Sequence, residues 1–124
     1  MDLIYLAALI DTVGTIKIEY SKLFQDWIVL VWITHPSFPL IQDCQKLGAY
    51  IVQLKNKMYR AKWRNAKAYR LLLDLRHHLK LKRDQADICL EYLMQKEQNP
   101  DKNLGPIYQL KLRQLKKQGG VYAV

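Results

Sequence analysis

The chain is short of the features that mark several large classes of protein. Its two cysteines, Cys44 and Cys89, lie far apart and form no Cys-x-x-Cys or Cys/His spacing. That argues against a structural zinc site or a disulfide framework and predicts two buried free thiols in a reducing compartment. No apolar run approaches the roughly 18 residues needed to cross a bilayer, so no membrane partner is expected. Met1 leads straight into Asp2 without a basic stretch or a small-residue cleavage site. No signal peptide is therefore expected, and the protein is placed inside the cell, in cytoplasm, nucleoid or organelle. Neither a solenoid-type repeat nor a low-complexity linker occurs. Acid is scarce too, with 11 Asp plus Glu against 20 Lys plus Arg, a net charge of +9 over 124 residues.

What the chain does have is apolar content, 50% of all residues, which excludes a disordered basic tail. The length suits one domain with a buried core; we expect it over residues 1–117, followed by a tail, 118–124. The positive excess favours a polyanionic partner, because Lys and Arg release counterions from each phosphate they neutralise. Basic surfaces also serve solubility or acidic lipids, so the arrangement of the charges decides.

Residues 2–12 carry Leu3, Leu6, Ala7 and Ile10 at helical spacing behind Asp2 as N-cap, and Gly14 stands where a helix ends. The period then changes to two. Ile16, Ile18 and Tyr20 alternate with Lys17, Glu19 and Ser21, and after a turn at 23–25 the run 26–34 is β-branched and aromatic, which predicts a hairpin. Pro36 and Pro39 end the sheet geometry, and residues 38–48 read as a second helix, capped by Ser37 and ended by Gly48. Residues 49–55 and 58–64 form strands three and four about a turn at Asn56-Lys57. Two helices, 66–79 with Asn65 as cap and 82–96, precede a last one over 106–117.

The order is αββαββα with extra C-terminal helices, an α+β fold. Its four-stranded antiparallel sheet is expected to be a saddle, with helices on one face. In strand four, Tyr59, Ala61 and Trp63 alternate with Arg60, Lys62 and Arg64, so one face is apolar and its opposite cationic. An open face carrying Lys17, Lys55, Arg60, Lys62 and Arg64 suits nucleic acid, with Glu19 and Gln53 placed for base-edge contacts and Lys80 added from a basic segment further on. A merely solvated polar face is the plainer alternative.

Leu6-Ala7-Ala8-Leu9-Ile10-Asp11-Thr12-Val13-Gly14 resembles the LAGLIDADG motif of homing endonucleases, and Thr15-Ile16 continues the resemblance. The element order is similar as well. Leu79-Lys80-Leu81-Lys82 with Gln85-Ala86 resembles the basic segment that opens that family's C-terminal helices, and Asn99-Pro100-Asp101-Lys102 resembles its Pro-Asp-Lys linker. The resemblance spans roughly residues 3–117. It implies a DNA endonuclease, a hydrolase acting in intron homing with Mg²⁺. A chain with one motif implies a homodimer on a long, roughly palindromic duplex, paired through the motif helix at Leu6, Ala7, Ala8, Ile10 and Asp11.

In that family the acidic residue before the final glycine binds the metal; here that position is Val13, which has no oxygen to offer. Only Asp11 and the Gly14 backbone region remain as metal candidates, and the resemblance gives Asp11 a second role, accepting hydrogen bonds from backbone amides. Lys82 matches the family's basic residue near the scissile phosphate, and His35 falls where a polar side chain on strand two holds a water or simply ends the strand. His77 and His78 are helix-end surface residues. By alignment Ile28, Leu30, Trp32 and Thr34 face DNA; a register shifted by one would turn Val29, Val31 and Ile33 outward, and with both faces apolar the period does not choose. The resulting expectation is sequence-specific duplex binding with impaired cleavage. An RNA-splicing maturase or transcriptional regulator on the same scaffold, and a basic module unrelated to nucleic acid, are the alternatives.

Overall fold

A computed structural model describes residues 1–122, and side-chain surroundings through residue 118. Helix α1 (Leu3–Val13) leads into the hairpin β1 (Gly14–Ser21) and β2 (Asp26–His35). Helix α2 (Phe38–Gln45) precedes β3 (Tyr50–Gln53) and β4 (Tyr59–Arg64), and α3 (Ala66–Leu75), α4 (Arg83–Gln98) and α5 (Gly105–Tyr122) follow. This is the expected α+β order. Part of the expected 118–124 tail lies within α5, and residues 123–124 lie outside the described residues.

The helix starts follow local chemistry. The Asp2 carboxylate accepts the Tyr5 amide at 2.7 Å, and the Ser37 hydroxyl accepts the Leu40 amide at 3.4 Å. Gly48 adopts φ +100 just past α2, a conformation that costs glycine little. Asn65 occupies the first position before α3 but does not cap it. Its side-chain oxygen instead accepts the Val29 amide at 3.2 Å, tying α3 to β2. Helix α3 also stops at Leu75, short of the expected 79, leaving a loop that runs to Lys82.

All pairings in the sheet are antiparallel, in the order β1-β2-β4-β3, so the second strands of the two hairpins meet at its centre. Ile16, Ile18, Val29, Val31, Ile33, Ala61 and Trp63 point to one side and bury against Leu6, Ala7, Ile10, Leu72, Leu75 and Ala86 of the helices. This settles the face of β2: Val29, Val31 and Ile33 go inward, and Ile28, Leu30, Trp32 and Thr34 share the other face. Cys44 and Cys89 are free and buried, as expected, and burial pushes their thiols up to about 11 and about 12, which leaves them unreactive.

Candidate nucleic-acid interface and the α1–β1 corner

The face turned away from the helices is built by cross-strand pairs. Thr15, Trp32, Lys62 and Tyr50 stand side by side across the four strands; Lys17, Leu30 and Arg64 form the next row, and Thr34, Arg60 and Val52 another. Trp32 lies at the centre, with Arg60, Lys62 and Lys17 at 4.9, 5.5 and 5.8 Å from its ring. The Arg64 guanidinium sits 4.8 Å from both Phe24 and Tyr50. These contacts hold cationic heads over aromatic faces. Ile28 and Leu30 are only 5% and 3% exposed although they face away from the helix-side core. Lys17 pairs with Glu19 at 3.3 Å; among the described residues no carboxylate pairs with Arg60, Lys62 or Arg64.

Two expected members of this face are elsewhere. Gln53 is paired with Tyr59 and so shares the parity of Ile51, Ala61 and Trp63, the helix side. It stands exposed at the strand end. Lys55 lies in the turn after β3, which is four residues long rather than the expected seven because Leu54 and Met58 already close the hairpin at 2.8 Å. His35 shares that helix-side parity, and its Nδ1 accepts the Ser37 amide at 2.9 Å, fixing the turn into α2.

At the α1–β1 corner the motif residues meet the loop before α4. The Asp11 carboxylate accepts three backbone amides, Lys80 at 2.7 Å, Leu81 at 3.2 Å and Lys82 at 3.0 Å. The Lys82 ammonium donates to the carbonyls of Ile10 at 2.8 Å, Asp11 at 3.1 Å and Gly14 at 2.8 Å. A cation is thus placed at the negative end of α1, where unpaired carbonyls collect. Burial lowers the Lys82 pKa from its ordinary value, and the Asp11 charge opposes that shift. Lys80 has an exposed side chain, and its backbone joins the same knot. Gly14 is required by packing rather than by its φ of −87: a Cβ there would lie 2.7 Å from Ile10 Cα and 2.8 Å from the Ile10 carbonyl oxygen.

This corner does not fit a divalent metal. Val13 is 52% exposed and apolar, both Asp11 oxygens are engaged by amides, and the neighbouring carbonyls point at an ammonium. Among the described residues no three His, Cys, Asp or Glu side chains gather as metal ligands do.

The expected pairing face of α1 also needs correction. Leu6, Ala7 and Ile10 are fully buried in the chain's own core, and Asp11 is turned to the loop. Four of the five expected residues are therefore engaged within the chain, and Ala8 alone of them faces outward. The helix offers its opposite side: Ile4 and Tyr5, 67% and 50% exposed, with Ala8, Thr12 and Val13. The Thr12 hydroxyl donates back to the Ala8 carbonyl at 2.8 Å, so this side is apolar along its length.

The helix order, the sheet with a free basic face and the motif helix packed on its covered face together define the LAGLIDADG homing-endonuclease fold. The chain is similar to the homing endonuclease I-CvuI, solved in complex with target DNA, with 21% identity over 96% of this chain and 80% of that one, at a TM-score of 0.70. It is also similar to the archaeal intron-encoded I-Vdi141I complexed with DNA (15% identity over 94% and 80%, TM-score 0.63). The LAGLIDADG meganuclease I-AabMI, bound to uncleaved DNA, matches 94% of this chain with 44% of its own length (17% identity, TM-score 0.61). No protein-family model and no curated protein matches the chain by sequence.

Proposed function

We propose that the protein is a homodimeric, sequence-specific binder of duplex DNA of the homing-endonuclease type, impaired in cleavage. The observation that carries this reading is the uncovered sheet face, where Arg60, Lys62 and Arg64 lie over aromatic rings with no carboxylate partner among the described residues. Such a two-sided sheet can enter a major groove, and its cations supply both phosphate attraction and base-edge donors. Similar folds solved with DNA support it. The apolar side of α1 supports pairing of two copies, which would set two sheets on one long, roughly palindromic duplex. The match to less than half of I-AabMI agrees, since that chain has room for two such units.

Impairment rests on Val13 and on the Asp11–Lys82 knot, which leave Mg²⁺ no side-chain oxygen at the corner. The test is nicking and cleavage of a selected, bound duplex with Mg²⁺ or Mn²⁺. The expected result is tight binding without cutting, and cutting restored in part by Val13→Asp or Val13→Glu. Robust cutting by the chain as it stands removes the impairment from this reading.

The same corner favours a second reading, a binding-only role as RNA-splicing maturase or transcriptional regulator, because binding needs no metal there. A maturase would recognise A-form shape and phosphates. Competition between duplex DNA and folded intron RNA at fixed salt separates the two.

A further inference from the structure

The chemistry of the open face restricts what it can read. Its charged donors are guanidinium and ammonium groups, with the hydroxyls of Thr15, Thr34 and Tyr50 beside them; Gln53 is turned to the other side, and Glu19 is engaged by Lys17. Leu30 and Ile28 are nearly buried and so closed to a thymine methyl. Paired donors of this kind match O6 and N7 of guanine, whereas adenine calls for Asn or Gln and cytosine for a free carboxylate.

The two arginines are also held in place before any partner arrives. Arg60 Nε donates to Thr34 Oγ1 at 2.9 Å while its guanidinium covers Trp32, and its terminal N–H groups have no hydrogen-bond partner among the described residues. Arg64 is flanked by two rings at 4.8 Å each and makes no hydrogen bond among the described residues. A phosphate contact needs no such fixing; a bidentate base contact gains from it, since less side-chain freedom is lost on binding. Arg60 and Arg64 are four residues apart on β4, and their guanidiniums lie beside Trp32 and Tyr50, which both pair across the sheet with Lys62.

We propose that Arg60 and Arg64 are guanine readers, and that the half-site bound by each chain carries two guanines, one read by each arginine in the major groove. The proposal rests on the duplex-binding reading above. Trp32, Thr34, Phe24 and Tyr50 are the positioning residues, which hold the forks without touching the bases.

The experiment selects bound sequences from a pool of randomised duplexes with the full chain, then repeats the selection with Arg60→Gln and Arg64→Gln. Thermal melts and Lys102→Gln, at an exposed site off this face, control for folding and for general charge. The expected result is two guanines per half-site, each losing its preference, by roughly tenfold to a hundredfold, in one of the two variants, with adenine gaining there. Thr34→Val should weaken the discrimination carried by Arg60 while leaving the salt dependence of binding unchanged. If both arginine variants bind all sequences uniformly less well, with a shallower salt slope, the residues are phosphate contacts and the guanine proposal fails while duplex binding stands. If the unaltered chain selects nothing from the pool, the duplex reading itself fails, and the proposal with it.

Discussion

Val13, Gly14 and Lys82 lie within one small corner and are constrained in three different ways. Val13 is free to vary structurally because its side chain is half in solvent. Gly14 is not free, since a Cβ would press on the backbone of Ile10. Gly14→Ala should therefore cost about 1–3 kcal/mol, read as a lower midpoint in denaturant unfolding. Lys82 satisfies three carbonyls at once. Lys82→Met keeps the bulk but removes the donor, and a loss of about 1–3 kcal/mol in stability is expected for a charged donor in a half-buried place. Because that ammonium already serves the corner, duplex affinity should be the same in Mg²⁺ and in EDTA at matched ionic strength. A large loss of affinity on chelation, measured by titration, would show a metal role in binding. The identity of Val13 and its departure from the motif were legible from the residues alone. The engagement of Asp11 by amides from 80–82 was legible only in kind, because the amides come from a loop about 70 positions away.

Elements are joined at two seams, one at each end of the sheet. At the far seam, β2 begins at Asp26 and Trp27, and α4 reaches both: Lys96 bonds the Asp26 carboxylate and donates to the Trp27 carbonyl at 3.0 Å, and the Tyr92 hydroxyl donates to the same carbonyl at 2.8 Å. Gly105 at the start of α5 lies so close to Trp27 that any side chain would overlap the indole. Burial raises the Asp26 pKa, but the Lys96 hydrogen bond, the Trp27 amide and the Lys96 charge outweigh it and hold it below the ordinary carboxylate value. In the window between the folded value and the ordinary one, the unfolded chain binds the extra proton, so stability rises with pH there. Asp26→Asn should flatten that rise: the variant should be less stable at neutral pH, and the difference should shrink as pH falls through the folded pKa. Thermal melts from neutral to acid pH give the measurement; a constant difference would assign the effect to packing. Neither this seam nor the need for Gly105 had a signal in the chain, since Asp26 and Lys96 are unremarkable polar residues at the ends of their elements.

For the whole molecule, the open sheet face and the outward side of α1 differ in character. The sheet face is cationic over aromatic, while the outward side of α1 is apolar and carries Ile4, Tyr5 and Ala8. Pairing through α1 would join two chains of +9 into one strongly basic dimer. Tyr5→Arg with Ala8→Arg places like charges on both sides of a two-fold contact. It should yield monomers in sedimentation and weaken binding to a full palindrome far more than to a half-site. Ala7→Ser, pointing into the chain's own core, should instead lower stability without changing oligomeric state at folded concentrations. Helix order, the single sheet and the cationic alternation of β4 were all visible beforehand, because a period of two with sharply different residues leaves little choice of face.

The sequence by itself determined the elements, their order, the excess of positive charge and the valine where the motif has an acid, since each depends on neighbours within a few residues. Tertiary structure alone decided which side of β2 faces the core. Both β2 faces are apolar, so local periodicity carries no orientation there, whereas the stripe Leu6, Ala7 and Ile10 of α1 was already marked by its helical spacing. The central pairing of β2 with β4, the exclusion of Gln53 from the basic face and the seating of Lys82 on α1 belong to the same group. Each depends on which distant segment competes best for a buried surface or an unpaired carbonyl, and that competition is resolved only when the whole core closes.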